Sequence, residues 1–229
     1  RAHNNGWHFA LDKVDLEGEV NGLPAIINGY AKIDNDLQIT HSKLHAELNH
    51  TQLLLSADDS LKQGPRFNLT IDDLKRWHAD AGGSLTLSSS LSTDAQQIVF
   101  KGTGQDLQWQ NIAIEKSQIA GRYSLQGLLA AAPSSVAIKP FSVDLHLDNI
   151  DLGSSQLREL SIVASGNEQG QVLSLSSRGD IEGTLEFRGQ STPTANNKDG
   201  GWRGQLLPTQ LTSPIGHWQL TQALALEWD

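Results

Sequence analysis

Three histidines lie close together in the sequence, at His41, His45 and His50, and histidine is the commonest protein ligand for transition metals. The segment between them, residues 44–48, alternates apolar and polar side chains as a β-strand does. On a strand that rises about 3.3 Å per residue, His41 and His45 share a face but lie about 13 Å apart, too far to bind one ion. His50, at an odd spacing from His45, would point to the opposite face of such a strand. We therefore predict no metal site and place His41 and His45 on the solvated face of a strand.

Other catalytic or cofactor-binding patterns are equally hard to find. The chain has no cysteine, so thiolate nucleophiles, CxxC zinc sites and disulfides are excluded. No GxSxG, P-loop, Rossmann or HExxH motif occurs. Gly102-Thr103-Gly104 is interpreted as a turn, residues 84–92 as a serine-rich solvated strand, and the acidic stretches 34–36 and 197–200 as turns with too few oxygen ligands for calcium. We predict a protein that is not an enzyme and holds no cofactor.

Length and charge narrow the classes of protein further. The 229 residues include 26 acidic and 17 basic side chains, for a net charge of -9, and 38% are hydrophobic. This composition suits a folded chain and opposes the phosphate-neutralising surface that nucleic-acid binding requires. The longest apolar run, Leu128 to Ala132, is far shorter than the roughly 20 residues that cross a bilayer. Because the chain begins with Arg1 and contains no methionine, we expect an internal segment of a longer protein.

The dominant hydrophobic period is two, which predicts β-strands with one apolar face. Apolar residues alternate with polar ones in the runs Phe67-Leu69-Ile71, Leu85-Leu87, Val143-Leu145-Leu147, Leu173-Leu175, Leu185-Phe187 and Leu224-Leu226. Glycine-containing pairs typical of turns lie between strand-like runs: Asn21-Gly22, Asn28-Gly29, Gly64-Pro65, Gly82-Gly83 and Gly153-Ser154. The sequence therefore predicts an almost all-β fold of antiparallel meanders.

Helical periodicity is confined to one short stretch. Within residues 71–78, Asp72 and Asp73 can cap one or two turns that carry Leu74 and Trp77 inward. Two polar or proline-containing stretches, 130–135 and 192–201, are candidate soft breaks. Because strand alternation resumes on both sides of each, we expect residues 1–229 to form a single segment.

A six-residue pattern occurs twice and begins a third time. Residues 11–16 and 147–152 share the pattern Leu-Asp-x-Val/Ile-Asp-Leu, and residues 71–74 keep its first part. Each copy follows an apolar strand, so we interpret the pattern as a strand-to-turn device. The irregular spacing, about 60 and then 76 residues by counting along the sequence, indicates a loose elongated array without a strict repeat.

Strands with one apolar face and no amphipathic helix to cover that face leave a small set of architectures. The sheet closes as a sandwich or barrel, or it stays open with an apolar trough. An open trough needs a ligand, and acyl chains fit because they demand apolar contact without directional hydrogen bonds. Three functions remain open: a lipid-conducting groove, a scaffold that captures unfolded β-strands and also uses sheet edges, and a closed β-sandwich of an adhesin.

The C-terminal part of the chain resembles a known family. Residues 201–206, Gly-Trp-Arg-Gly-Gln-Leu, and residues 216–220, Gly-His-Trp-Gln-Leu, followed by Leu224, are similar to a run found in the TamB (translocation and assembly module) and AsmA-like family. The Leu-Asp repeat and residues 121–127 fit the same family. The resemblance lies in glycine, tryptophan and alternation, and it covers most of the chain.

This resemblance implies a fold and a role. Members are very long periplasmic proteins, anchored in the inner membrane of Gram-negative bacteria, whose curved antiparallel sheet forms a taco-like groove with an apolar interior. The family acts in outer-membrane biogenesis and phospholipid transport with an Omp85-type outer-membrane barrel (TamA-like). The anchor and the barrel contact would lie in other parts of the parent protein.

The two lines of reasoning together predict which side chains contact phospholipid acyl chains. The groove candidates are Phe67, Leu69, Ile71, Leu85, Leu87, Val143, Leu145, Leu147, Leu173, Leu175, Leu185, Phe187, Leu224 and Leu226. The six tryptophans are interpreted mainly as plugs of a core, with a cap on the groove as the alternative: Trp7, Trp77, Trp109, Trp202, Trp218 and Trp228.

Overall fold

The protein is one long antiparallel sheet of sixteen strands, as a computed structural model describes it for residues 8–34, 39–57, 64–92, 97–125, 140–167, 169–192 and 201–228. Strands β1 to β12 each pair with the next strand along the chain, so the topology is a continuous meander from β1 to β13. The strands are β1 (His8–Val20), β2 (Leu23–Asp34), β3 (Ile39–Leu48), β4 (Thr51–Ala57), β5 (Arg66–Ile71), β6 (Ala81–Leu91), β7 (Gln97–Trp109), β8 (Ile112–Ser124), β9 (Phe141–Asp151), β10 (Gln156–Asn167), β11 (Gly170–Gly179), β12 (Glu182–Thr192), β13 (Gly201–Leu206), β14 (Thr209–Ser213), β15 (Gly216–Leu220) and β16 (Leu224–Trp228). The prediction of an all-β, curved antiparallel sheet is confirmed.

The connections divide the sheet into two rims. At one rim, called the turn rim, most strands are joined by short turns such as Asn21-Gly22 and Asn49-His50. The φ angles of these four residues are 52°, 77°, 50° and 62°, which is the left-handed geometry that suits a two-residue hairpin. At the opposite rim, called the loop rim, the connections include longer ones such as 125–140. The candidate soft breaks, 130–135 and the interior of 192–201, lie outside the described residues.

Several turn predictions based on glycine are wrong. Gly102-Thr103-Gly104 lies inside β7, Asn28-Gly29 inside β2, and Gly82-Gly83 inside β6. In β7 the two glycines face the same side as apolar neighbours, and a side chain at Gly102 would meet the Ile119 and Leu87 side chains at 3.0 and 3.2 Å. Glycine therefore marks close side-chain approach here, rather than a reversal of the chain.

A single short helical element interrupts the described strands, as predicted for residues 71–78. It is a 3-10 turn, Leu74–Arg76, and the Asp73 carboxylate accepts a hydrogen bond from the Lys75 backbone N–H at 2.9 Å. Trp77 follows it and is 45% exposed. The Trp77 indole N–H donates to the Thr51 hydroxyl at 2.7 Å, which fixes the turn against the neighbouring hairpin.

The last four strands form one bent hairpin. β13 and β14 both run beside β12, with the bend at residues 207–208, and β15 and β16 return along them. The Leu207 backbone N–H donates to the Glu186 carbonyl at 2.9 Å and keeps the bend on the sheet. The sheet therefore has β1 at one end and β15 with β16 at the other.

No second layer covers this sheet in the described residues. Each described strand pairs only with strands beside it in the sheet, and no pairing joins β1 to the far end, so the sheet is not closed. The open sheet of the described residues is inconsistent with the closed β-sandwich that the sequence analysis left open. Among the described side chains the buried apolar ones are Ala31, Ile150 and Leu157, at 9%, 4% and 7% exposed. The described part also contains no helix with the length and hydropathy of a bilayer-crossing segment.

Candidate functional site

One face of the sheet carries a row of apolar residues that crosses twelve strands in succession. Because directly opposed residues in antiparallel strands project to the same face, the pairing register defines this row, which we call the central row. From β1 to β12 it consists of Leu16, Ile27, Ala46, Leu53, Leu69, Leu87, Gly102, Ile119, Leu145, Ile162, Leu175 and Leu185. At about 4.8 Å per strand, the row extends for roughly 50 Å along the sheet.

The residues one position along each strand from the central row are almost all polar instead of apolar. The row on the opposite face, one position along each strand, is almost entirely polar: Glu17, Ile26, Glu47, Gln52, Thr70, Thr86, Thr103, Gln118, His146, Ser161, Ser176 and Thr184. The Thr86 and Thr103 hydroxyls lie 2.7 Å apart across two of these strands. The sheet thus has an apolar face and a polar face, and its register is fixed because a slip of one residue would exchange the two faces.

All fourteen predicted groove residues lie on the apolar face. Leu69, Leu87, Leu145, Leu175 and Leu185 belong to the central row, and the other nine lie in the rows beside it: Phe67, Ile71, Leu85, Val143, Leu147, Leu173, Phe187, Leu224 and Leu226. None of the fourteen is buried: Leu87 is 37% exposed, Leu173 38% and Leu224 51%. The structure brings these residues together on one surface, and their contact with lipid stays a prediction.

Sequence reasoning missed several members of the apolar face. Phe100 and Ile119 lie on it, yet β7 and β8 place glycine at the neighbouring positions of that face, at Gly102, Gly104 and Gly121. The Phe100 ring occupies the space that a side chain at Gly121 would need. The glycines hide the leucine alternation that revealed the other strands. A count of glycine as apolar in the period-two pattern would have found these two strands.

At the turn rim the apolar face continues through aligned breaks in alternation. One residue is skipped by the pairing at the same level on four neighbouring strands: Asp106, Glu115, Asn149 and Arg158. Asp106 and Asn149 have φ angles of 51° and 50°, and the Asn149 side-chain amide donates to the Glu115 carboxylate at 2.5 Å. Such bulges move the next residue to the other face of a strand.

Four apolar residues lie on the turn-rim side of these bulges, directly opposite one another on neighbouring strands. We call them the turn-rim cluster: Leu107, Ile114, Ile150 and Leu157. Leu107 packs beside Gly104 of the apolar face, so the cluster belongs to that face. Two of its members are the buried Ile150 and Leu157. An open apolar depression of about 500 Å³ adjoins it, lined by Leu74, Trp77, His78, Ala81, Leu107, Gln108, Trp109, Ile112 and Ile114.

This geometry corrects the interpretation of the sequence repeat. Leu11 pairs with Ala31 and Val14 with Gly29, so the first and fourth residues of the first copy share the apolar face across a bulge in the middle of β1. Residues 147–152 place Leu147 and Ile150 in the same way across Asn149. The repeat is therefore a bulge motif that keeps apolar residues three positions apart on one face, and the strand-to-turn interpretation is wrong for the first copy.

The tryptophans do not plug a core where their side chains are described. Trp77, Trp109 and Trp218 are 45%, 49% and 55% exposed. Trp202 lies flat over two glycines of the apolar face, Gly189 and Gly204, and its indole N–H donates to the Gln171 side-chain oxygen at 2.7 Å. Trp7 and the Trp228 side chain lie outside the described residues. The tryptophans thus add exposed aromatic surface to the apolar face and its turn rim.

The histidines of the sequence are dispersed. His41 stacks on Tyr30 with ring centroids 5.0 Å apart, His45 lies opposite Leu54 and Asn28 in a row of the polar face, and His50 occupies a turn. Within the described residues no group of three potential ligands is arranged to hold a metal ion. The acidic stretches 34–36 and 197–200 lie almost wholly outside those residues.

The chemistry that the apolar face offers is nondirectional contact with hydrocarbon.

Comparison with known proteins agrees with this geometry. A family profile described as "TamB, N-terminal domain" matches residues 1–229. The chain is 25% identical over its whole length to the translocation and assembly module subunit TamB of Haemophilus influenzae, of which it spans 17%. No solved structure matches the chain. With an open all-β sheet, one continuous apolar face and a profile match along its full length, the chain belongs to the TamB family, within the N-terminal domain of that family.

Proposed function

We propose that the apolar face shields the acyl chains of phospholipids from water and conducts them along the sheet. The observation that supports this most is the central row, which crosses twelve strands without a charged or hydrogen-bonding side chain and stays partly open to solvent. Ordinary soluble proteins rarely leave more than a few hundred square ångströms of contiguous apolar surface exposed. At roughly 50 Å, the row is also longer than the approximately 30 Å hydrocarbon core of a bilayer.

The uniformity of the row favours movement over fixed binding. Each methylene of an acyl chain gains about 0.8 kcal/mol when it leaves water. Because neighbouring strands offer leucine, isoleucine or alanine at equivalent positions, this gain changes little as the chain shifts by one strand. A lipid would then move across the sheet without a large barrier, which suits a conduit and requires no catalytic group. We therefore propose no enzymatic role.

The wider role follows from the family. The Haemophilus relative is a subunit of a translocation and assembly module by its name. We propose that this chain forms one groove segment of a longer protein of outer-membrane biogenesis, located in the periplasm of a Gram-negative bacterium. Phospholipids would pass along it between the inner and outer membranes. An inner-membrane anchor and the contact with an Omp85-type barrel would belong to other parts of that protein.

The experiment uses two adjacent residues of β11 that point to opposite faces. Leu173 on the apolar face is 38% exposed and Val172 on the polar face is 37% exposed. The protein is purified without detergent, and native mass spectrometry with organic extraction measures bound phospholipid. We expect Leu173→Arg to lose most of the bound lipid, because a guanidinium among acyl chains is not solvated. Val172→Arg is the matched control and should retain it.

The outcomes separate the candidate functions. Equal lipid content in both variants, or no lipid in the unmodified protein, would contradict the conduit. Bound peptide in place of lipid would favour the scaffold for outer-membrane protein assembly. That alternative uses the same face and the outer edge of β1, which pairs only with β2 among the described strands and exposes Phe9 and Leu16 at 54% and 61%.

A further inference from the structure

The polar face contains a depression with a positive lining near the loop rim. It encloses about 810 Å³, and three basic side chains line it, those of Arg66, Lys101 and Arg122. We call it the basic depression. It lies on the face opposite the central row, so an assignment of its ligand does not depend on the lipid-conducting role proposed above.

The register places the three cations around one space. Arg66 and Arg122 belong to a single row of the polar face, in which Ser90 and Val99 are the intervening residues. Three strand spacings separate the two arginines, or roughly 14 Å between their backbones. Lys101 lies on β7 between them, two residues along that strand from Val99. An anion in the depression would therefore meet positive charge from three neighbouring directions.

Within the described part of the chain, the arginines of the basic depression have no ion pair of the kind that other arginines of the sheet form. Arg178 is 2.8 Å from the Glu159 carboxylate, and Arg188 is 2.6 Å from Glu186. Among the described residues Arg66 and Arg122 have no carboxylate within ion-pair distance, and no carboxylate lines the depression. In a chain with a net charge of -9, three such cations concentrated in one concavity form a local field of the opposite sign.

Neutral side chains in the basic depression add hydrogen-bond donors. Asn68, Ser90 and Ser142 line it together with the cations. Ala120, a small residue opposite Lys101, leaves the floor between β7 and β8 open. Two guanidinium forks, an ammonium group and several hydroxyls without a competing carboxylate match the oxygens of a phosphate group, which accepts hydrogen bonds in pairs from arginine.

We propose that the basic depression binds a phosphate-bearing small molecule. Its volume exceeds that of a phosphate ester of a few carbon atoms, and its open mouth admits a group that remains attached to a larger molecule. The same phosphate chemistry has two sources, a free phosphate ester or the head group of an anionic phospholipid. A bound head group would lie on the face away from the central row, near the loop rim, so it would belong to a lipid other than one carried on the apolar face.

The test is a titration of the protein with sn-glycerol 3-phosphate by calorimetry, together with cosedimentation on phosphatidylglycerol vesicles. The double variant Arg66→Gln, Arg122→Gln removes both guanidinium forks. We expect its affinity to be at least about tenfold weaker, since charge-assisted hydrogen bonds are about twice as strong as neutral ones. Arg178→Gln is the control: it removes one polar-face charge outside the depression and should change the affinity less than about twofold.

Binding of the free ester would identify a soluble phosphate as the source, and binding to vesicles alone would identify a head group. Absence of both, or affinities equal in the double variant and the unmodified protein, would overturn the assignment. If the double variant fails to fold by circular dichroism, Arg66→Lys with Arg122→Lys keeps the charge but removes the forks. Affinity unchanged in that variant would also overturn the role of the arginine pair. Lipid loss in Leu173→Arg is an independent result, so the two proposals fail separately.

Discussion

Two regions of the apolar face use the same residue types with different results. In the turn-rim cluster, Ile150 and Leu157 are 4% and 7% exposed, as in the core of a globular protein. In the middle of the face, Leu53 and Leu87 are 41% and 37% exposed. Both regions belong to the same sheet, and no second layer covers either of them in the described residues.

The difference arises from local backbone irregularity. At the turn rim, aligned bulges and the 3-10 turn at Leu74–Arg76 fold apolar side chains towards each other. In the middle, regular pairing keeps successive rows parallel, so each side chain touches its neighbours but receives no cover. Burial in a single-layer sheet thus requires breaks in the alternation, and regular alternation leaves surface for a ligand. The turn rim therefore contains the most deeply buried apolar side chains of this face, and the middle keeps its apolar side chains partly exposed.

The largest loss of stability is predicted for a substitution in the buried turn-rim cluster. Ile150→Ala should lower the free energy of unfolding by about 2–5 kcal/mol, because it removes a well-packed side chain and leaves a cavity. Leu87→Ala should cost less than half as much, since that side chain already contacts water. Urea denaturation measures both variants. Equal losses would show that the middle of the apolar face is as well packed as the turn rim.

A smaller effect is expected at Gly104, where neighbouring side chains of the apolar face approach the backbone closely. Gly104 lies beside Leu107 and Ser117, and an added methyl group would collide with the Leu107 side chain at 2.7 Å. Gly104→Ala should therefore destabilise the protein by about 1–3 kcal/mol through overpacking. At Gly18 in β1 nothing lies within 4 Å of an added methyl group. Gly18→Ala should leave the thermal midpoint unchanged or raise it, and a matching loss at both positions would contradict close packing near the bulges.

The smallest predicted effect concerns the turn that covers the rim. Trp77→Phe keeps the aromatic ring but loses the hydrogen bond to the Thr51 hydroxyl, which should cost about 0.5–1.5 kcal/mol. Trp218→Phe serves as the control, because that indole is 55% exposed and donates at the longer distance of 3.2 Å. Chemical denaturation followed by circular dichroism measures both variants without relying on tryptophan emission. A loss at Trp218 as large as that at Trp77 would mean that the 3-10 turn does not depend on the Thr51 contact.

Alternation alone predicts most of this fold. Runs such as Val143-Leu145-Leu147 identify a strand and show that these three side chains share one face of it. This follows because alternate residues of a strand project to the same face. The pattern fails where one extra residue enters a strand. Asn149 separates Leu147 from Ile150 by three positions, and no period-two pattern reports that both share a face.

The local sequence also does not predict which residues of different strands lie opposite one another in the sheet. Arg66 and Arg122 are 56 positions apart in sequence, and only the pairing of β5, β6, β7 and β8 places them in one row. A list of basic residues therefore shows no cluster. Glycine is also ambiguous, since Gly22 completes a turn whereas Gly102 admits a neighbouring side chain within a strand. That choice depends on the residues that pack opposite each glycine.

The meander has a consequence for how such a protein changes in length. Since strands contact only their neighbours in the sheet, removing or adding one hairpin alters two interfaces and leaves distant strands as they were. Each added hairpin would lengthen the apolar path by about 10 Å, from two strand spacings of about 4.8 Å. A sheet of this topology would therefore change its length in steps of one hairpin, and the apolar face would lengthen or shorten by the same step.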